Sequence, residues 1–196
     1  MELTMHPRNQ AEKLQYGDRK HVAFLRGINL GGKNRLPMKD VAEIFAKAGC
    51  RHVTTYIQSG NVIFSASPSL LNRIPQLVSK DIAARFGYQI PVIVRSSEEI
   101  AQIIRDNPFL QHGKPEETLH VYFLADPPTA LAIKSLDPNR SAPDAFCVRN
   151  REVYLHLPNG MARTKLSNTY FDSKLSTTTT ARNWATVLKL YELLQA

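Results

Sequence analysis

"HVTTYIQSGNVIFSAS", residues His52 to Ser67, decides the fold. Two runs rich in β-branched and aromatic residues flank Gln58, Ser59, Gly60 and Asn61, and Ser-Gly is a turn signal, so the stretch reads as a β-hairpin. Each arm of that hairpin runs into a helical pattern. Upstream, Pro37 suits a first helical position, and Met38, Val41, Ile44, Phe45 and Ala48 recur at helical spacing until Gly49 stops them. Downstream, Ser67 and Pro68 open a second helix whose apolar stripe is Leu70, Leu71, Ile74, Leu77, Val78, Ile82 and Phe86, with Gly87 at its end. Pro75 falls inside this stripe and should kink the helix or shift its start. Short apolar strands lie outside the helices, at His21 to Asn29 and Pro91 to Arg95.

The resulting order, β-α-β-β-α-β, is the split βαβ signature of a ferredoxin-like fold. Its first and third strands are central, adjacent and antiparallel. The end of the first, Arg26 to Lys33, therefore meets the start of the third, Gln58 to Asn61. From Ser96 the pattern partly repeats. Ser96 and Glu99 form a capping box, Leu119 to Leu124 is a strand, and Asp126-Pro127-Pro128 opens a short helix. "AFCVRNREVYLHL" turns at Arg149, Asn150 and Arg151, and a further short helix is expected around Thr164 to Tyr170. Trp184, Val187, Leu188, Tyr191 and Leu194 mark a final amphipathic helix, with the threonines 177 to 180 offering N-cap oxygens. The fold class is thus α+β: a ferredoxin-like subdomain over 21–95, then a second, incomplete one with a C-terminal helix over 96–196. Residues 1–20 are polar and aperiodic, and read as a disordered extension.

The chain has 196 residues, enough to bury a core, and its apolar runs are too short to span a membrane. Cys50 and Cys147 lack any metal-ligand or disulfide spacing, which fits a cytoplasmic protein with no metal and no cofactor. A formal charge of +8 and a pI near 9.6 point to an anionic partner, nucleic acid or a small anionic ligand.

Gly27, Gly32 and Lys33 satisfy the GxxxxGK spacing of a phosphate loop. The motif then requires Ser or Thr to hold magnesium, and Asn34 stands there; the helix also starts too late, near Pro37. An NTPase is therefore disfavoured, and the glycines read as a turn with positive φ. Such turns still bind anions through backbone N–H groups. Arg26, near the end of an apolar strand, needs an exit to solvent or a partner, whether a local carboxylate, a loop carbonyl or a ligand. Arg182 and Asn183 are expected in the first turn of the last helix, where a cation opposes the dipole and invites an anion, unless Arg182 simply reaches a nearby acidic side chain or carbonyl, which is the favoured reading. Trp184 begins the apolar stripe and belongs to the core.

Three segments, "FLRGINLGGKN", "TYIQSGNVIFSA" and "TARNWATVLKLYEL", together resemble a bacterial family catalogued as domain of unknown function 1697. The resemblance implies an α+β fold with ferredoxin-like subdomains and no established activity. Arg26, Gly27, Asn29, Gly31 and Gly32 match its first signature, Ser59, Gly60 and Asn61 its second, and Arg182, Asn183 and Trp184 its third. With Lys33 and Gln58, all of these except Trp184 are the candidate ligand-binding residues, and the three segments are expected to meet. No catalytic residue is assigned. The favoured function is anion or nucleic-acid-backbone binding by this loop cluster; an enzyme acting on a small anionic or phosphorylated metabolite, and a structural or oligomerisation role, are the alternatives. The sequence leaves the oligomeric state open.

Overall fold

The computed structural model describes residues 19–196. The extension expected over 1–20 thus lies outside the described residues up to position 18, and Lys20 already opens the first strand. Strands β1 (Lys20–Leu25), β2 (Arg51–Tyr56), β3 (Asn61–Ser65) and β4 (Val92–Ser96) form an antiparallel sheet in the order β2-β3-β1-β4. Helices α1 (Met38–Lys47), α2 (Pro68–Leu71) and α3 (Ile74–Phe86) supply the crossovers. This is the ferredoxin-like order read from the hairpin. Pro75 resolves as a shifted start: the expected helix breaks into α2 and α3, with the proline in the first turn of α3, where its missing N–H removes no helical bond.

After α4 (Ser97–Arg105) and α5 (Pro108–Gln111), the whole pattern is repeated. Strands β5 (Leu119–Leu124), β6 (Ala145–Arg149), β7 (Glu152–His156) and β8 (Thr179–Asn183) lie in the order β6-β7-β5-β8. Helix α6 (Ala130–Lys134) follows β5, α7 (Asn168–Leu175) precedes β8, and α8 (Trp184–Gln195) ends the chain. The second unit therefore carries all four strands. The stretch expected to cap the last helix forms β8 instead. Threonine is β-branched and suits a strand, while the side chains of β8 serve hydrogen bonds more than core, so no apolar alternation betrays it. The short helix expected at Thr164 to Tyr170 begins later, at Asn168, capped by the Ser167 hydroxyl.

The central strands are buried on both faces, which is why they read as continuous apolar runs. Ala23 and Leu25 of β1 face α1 and α3, and Tyr122 and Leu124 of β5 face α6 and α7. The alternate residues, Val22, Phe24, Val121 and Phe123, share one core with Trp184 and the apolar faces of α4 and α8. At its centre Phe24 stacks on Phe123 with ring centroids 4.1 Å apart. The two sheets thus pack inner face to inner face, each covered outside by its own helices. No helix among the described residues is long and apolar enough to cross a membrane.

Two expectations follow. Phe24→Ala should cost about 3–5 kcal/mol by opening a cavity in the shared core, and urea unfolding followed by Trp184 fluorescence and by circular dichroism should remain one coincident transition. Two separated transitions would mean that the units are held independently. Burial also lowers the pKa of His21 on β1 and His120 on β5, through desolvation of the charged ring. The unfolded chain then takes up protons first as pH falls through about 6.5, so stability present above that pH is lost below it. The Tm should drop between pH 7.5 and 5.5, and by less in His120→Gln.

Candidate functional site

The fourth strand of each unit ends in an arginine that crosses to the other unit. Arg95 of β4 donates from Nη2 to the carbonyl oxygens of Leu124 (2.8 Å) and Arg151 (3.0 Å), and from Nη1 to Val94 O. Arg182 of β8 does the same in the opposite direction, from Nη2 to Leu25 O and Gly60 O (3.3 Å each) and from Nη1 to Ala181 O. Each guanidinium lies against the other unit's central phenylalanine, Arg95 at 5.8 Å from the Phe123 ring centroid and Arg182 at 5.2 Å from that of Phe24. The backbone repeats the correspondence: Leu25 N donates to Gly60 O, and Leu124 N to Arg151 O. The two arginines are equivalent clasps related by the internal repeat.

They differ in charge at the acceptor of Nε. Arg95 Nε meets Glu152 Oε1 at 2.8 Å, a buried ion pair. Arg182 Nε meets Asn61 Oδ1 at 2.5 Å. Both acceptors open the third strand of their unit and sit opposite the central phenylalanine, Glu152 across from Phe123 and Asn61 across from Phe24. Arg182 bonds only neutral acceptors, the last two being Thr180 Oγ1 and Ser59 O, and among the described residues no carboxylate lies within ion-pair distance of it. The side chain is fully hydrogen-bonded, yet its charge is uncompensated. Burial alone lowers its pKa, to about 10, so it remains a cation at neutral pH. In the sister clasp burial lowers Arg95 and raises Glu152 from their ordinary values, and the 2.8 Å contact offsets part of that cost.

Arg182 forms part of a recess of about 350 Å³ between the units. Arg26, Gly27, Ile28, Leu30, Ile57 and Ser59 line it from the first unit; Asn168, Thr180, Ala181, Arg182, Asn183 and Thr186 line it from the second. The three sequence segments therefore meet here, and Arg182 touches Asn61 directly. Its position in β8 corrects the reading that put it in the first turn of the last helix; Asn183 is the N-cap, its side chain accepting from Thr186 N. Arg26 has a carboxylate partner, Asp172 Oδ2 of α7, at 2.6 Å across the units. The other Asp172 oxygen accepts from Thr179 N and Oγ1.

Several expected ligand residues are occupied in building the loops. Asn29 Nδ2 donates to Leu36 O and Gln58 O while its Oδ1 accepts from Leu36 N, so it ties the glycine turn to the hairpin turn. Asn61 Nδ2 donates to Tyr56 O and Ser59 Oγ. Gly60 is buried at φ +78°, where an added Cβ would lie 2.8 Å from Leu25 Cβ, so only glycine fits. Gly31, Gly32 and Lys33 are exposed and outside this recess; Gly32, with Asn29 and Gln58, borders a shallower one. Pinned by Asn29, Asn61 and Arg182, the hairpin turn holds Ile57 at φ +50°, a conformation that costs a β-branched residue about 1–3 kcal/mol.

Sequence reasoning missed Glu152, Asp172, Thr180, Thr186 and the sister clasp. The internal repeat carries a signal that finds them: Phe-Leu ends the first strand of both units (Phe24-Leu25, Phe123-Leu124), and Arg95-Ser96 and Arg182-Asn183 both join a strand to a capped helix. A second recess, of about 520 Å³, flanks Arg95. Its lining balances Arg95 and Arg151 with Glu99 and Asp126, whereas the Arg182 recess is lined by two arginines and no carboxylate.

Fold and site together define a duplicated ferredoxin-like α+β protein whose halves are joined by reciprocal arginines. The chain belongs to the family described as protein of unknown function (DUF1697), whose model matches residues 19–154. No curated protein matches the sequence. Among solved structures, it is similar to the conserved bacterial protein SP0830 from Streptococcus pneumoniae, at 19% identity and a TM-score of 0.64 over 90% of this chain and 98% of that one. At that identity the likeness concerns the fold.

The two clasps should respond differently to truncation. Glu152→Ala leaves Arg95 buried without its counter-charge and should cost about 3–5 kcal/mol. Asn61→Ala removes a neutral acceptor and should cost about 1–3 kcal/mol. Urea midpoints of the two variants check the order.

Proposed function

We propose that the recess beside Arg182 binds a small anion, a carboxylate or a phosphate. The observation that carries this reading is the buried guanidinium whose charge is left uncompensated, where the equivalent arginine of the other unit faces Glu152. An anion in the recess would supply that counter-charge at short range, in surroundings of low dielectric.

The hydroxyls are arranged to serve it. Thr180 Oγ1 accepts from Arg182 Nη1, and Ser59 Oγ accepts from Asn61 Nδ2, so each keeps its own proton to donate. Both line the recess, with Arg26 beside them. The site is concave and formed by both units, which suits a small ligand better than a nucleic-acid backbone, for which a long exposed basic stripe is the expected footprint. Its lining includes no histidine, carboxylate or thiol to act as base or nucleophile, so the reading is of binding.

Titration of the full chain with inorganic phosphate and with acetate, followed by amide shifts of Thr180 and Thr186, should saturate in the millimolar range or below. Asn61→Asp places a carboxylate beside Arg182, as in the sister clasp, and captures the Ser59 proton. It should weaken both anions at least tenfold while the melting curve shows the fold retained. Thr180→Val removes a hydroxyl donor and one acceptor of Arg182 Nη1 while leaving Nη1 bonded to Ala181 O, and it should weaken them as well. Unsaturable titrations of the unmodified chain would end the reading.

A further inference from the structure

Two of the four large hydrophobic side chains exposed among the described residues, Leu30 at 63% and Ile57 at 51%, stand in the lining of the Arg182 recess. They come from different loops, the glycine turn after β1 and the hairpin turn before β3, and Ile28 is buried between them and the core. Apolar groups of this size in water are unfavourable, and their gathering at one mouth is the mark of a surface that something covers. The arrangement is also preformed. Asn29 Nδ2 bonds to Gln58 O at 2.9 Å and locks one loop to the other, and the backbone of Ile57 is held in the left-handed region by the side chains that pin its turn.

The recess thus has two unlike walls, a cationic and hydroxylated one around Arg182 and an apolar one around Leu30 and Ile57. Building on the anion-binding reading, we propose that its ligand is an amphiphilic small molecule: a carboxylate or phosphate head set against Arg182, Ser59 and Thr180, and an apolar arm laid over Leu30 and Ile57. The volume of about 350 Å³ limits that arm to a short acyl chain or a single ring. Inorganic anions and acetate are then minimal heads, bound weakly because they leave the apolar wall wet.

The test is a series of straight-chain carboxylates, acetate, butyrate and hexanoate, with phosphate and phenyl phosphate as a parallel pair, titrated into the full chain at constant ionic strength. The dissociation constant should fall about fivefold for each added pair of methylenes, the gain expected for their partial burial. Both apolar residues are exposed, so the double variant Leu30→Ser, Ile57→Gly should fold. It should still saturate with acetate and phosphate and lose the dependence on length. A flat series in the unmodified chain, with acetate and phosphate still saturating at Thr180 and Thr186, would overturn the apolar arm and leave the anion site standing. Failure of acetate and phosphate themselves would remove both. A length dependence that survives in the double variant would put the arm elsewhere and overturn the assignment.

Discussion

A buried guanidinium has five N–H groups to satisfy, and the ends of antiparallel strands have carbonyl oxygens left over. The structure depends on matching these two needs across the units. Arg95 and Arg182 each leave the edge strand of one sheet and bond the carbonyls where the other unit's first strand and hairpin turn end. Neither could be replaced by a lysine without loss, because a point charge with three donors cannot reproduce the planar fork. The stacked pair Phe24 and Phe123 fills the space between the two guanidinium groups, so polar clasp and apolar core fix the same registration of the sheets.

Two near-equivalent clasps with unlike counter-groups illustrate how duplication can keep a geometry and change its charge. Where Glu152 neutralises Arg95, the charges are spent internally and the neighbouring recess is balanced. Where Asn61 stands instead, the same geometry is kept by a neutral acceptor and a positive field is left over. A glutamate exchanged for an asparagine, one methylene shorter, keeps an oxygen acceptor at Nε and changes the electrostatics by a whole unit of charge. The Arg26 to Asp172 bridge, about a quarter exposed, adds a tie between the units beside the same recess.

Much of this was legible in the chain. The first unit followed from one hairpin between two helical patterns, because periodicity and turn chemistry are local and both were strong there. Ser96 with Glu99 announced α4, and the capping box forms as read. The second unit was less legible because β8 is rich in threonine and carries Arg182, whose reason for being in a strand lies in the other unit. A residue whose partners in the other unit are 121 to 157 positions away leaves no local pattern. The same fact explains the misplaced reading of Arg182: beside an amphipathic helix it looked like part of that helix. Asn29 and Asn61 were singled out as ligand residues, and their amides are committed to loops, since Asn types suit turns and ligands alike.

The linkage of Leu25 to Arg182 also bears on the order in which the molecule can come into being. The first sheet has all four of its strands by Ser96, but the inner face carrying Val22, Phe24 and Ile63 has no cover until the second sheet and α8 exist. During synthesis that face must wait, apolar and open, while the remainder of the chain is made. Contacts this distant close late and at an entropic cost that grows with the loop between them. The recess is therefore among the last features to be assembled, and a chain stopped before β8 would display an uncovered sheet to its neighbours and hold no site at all.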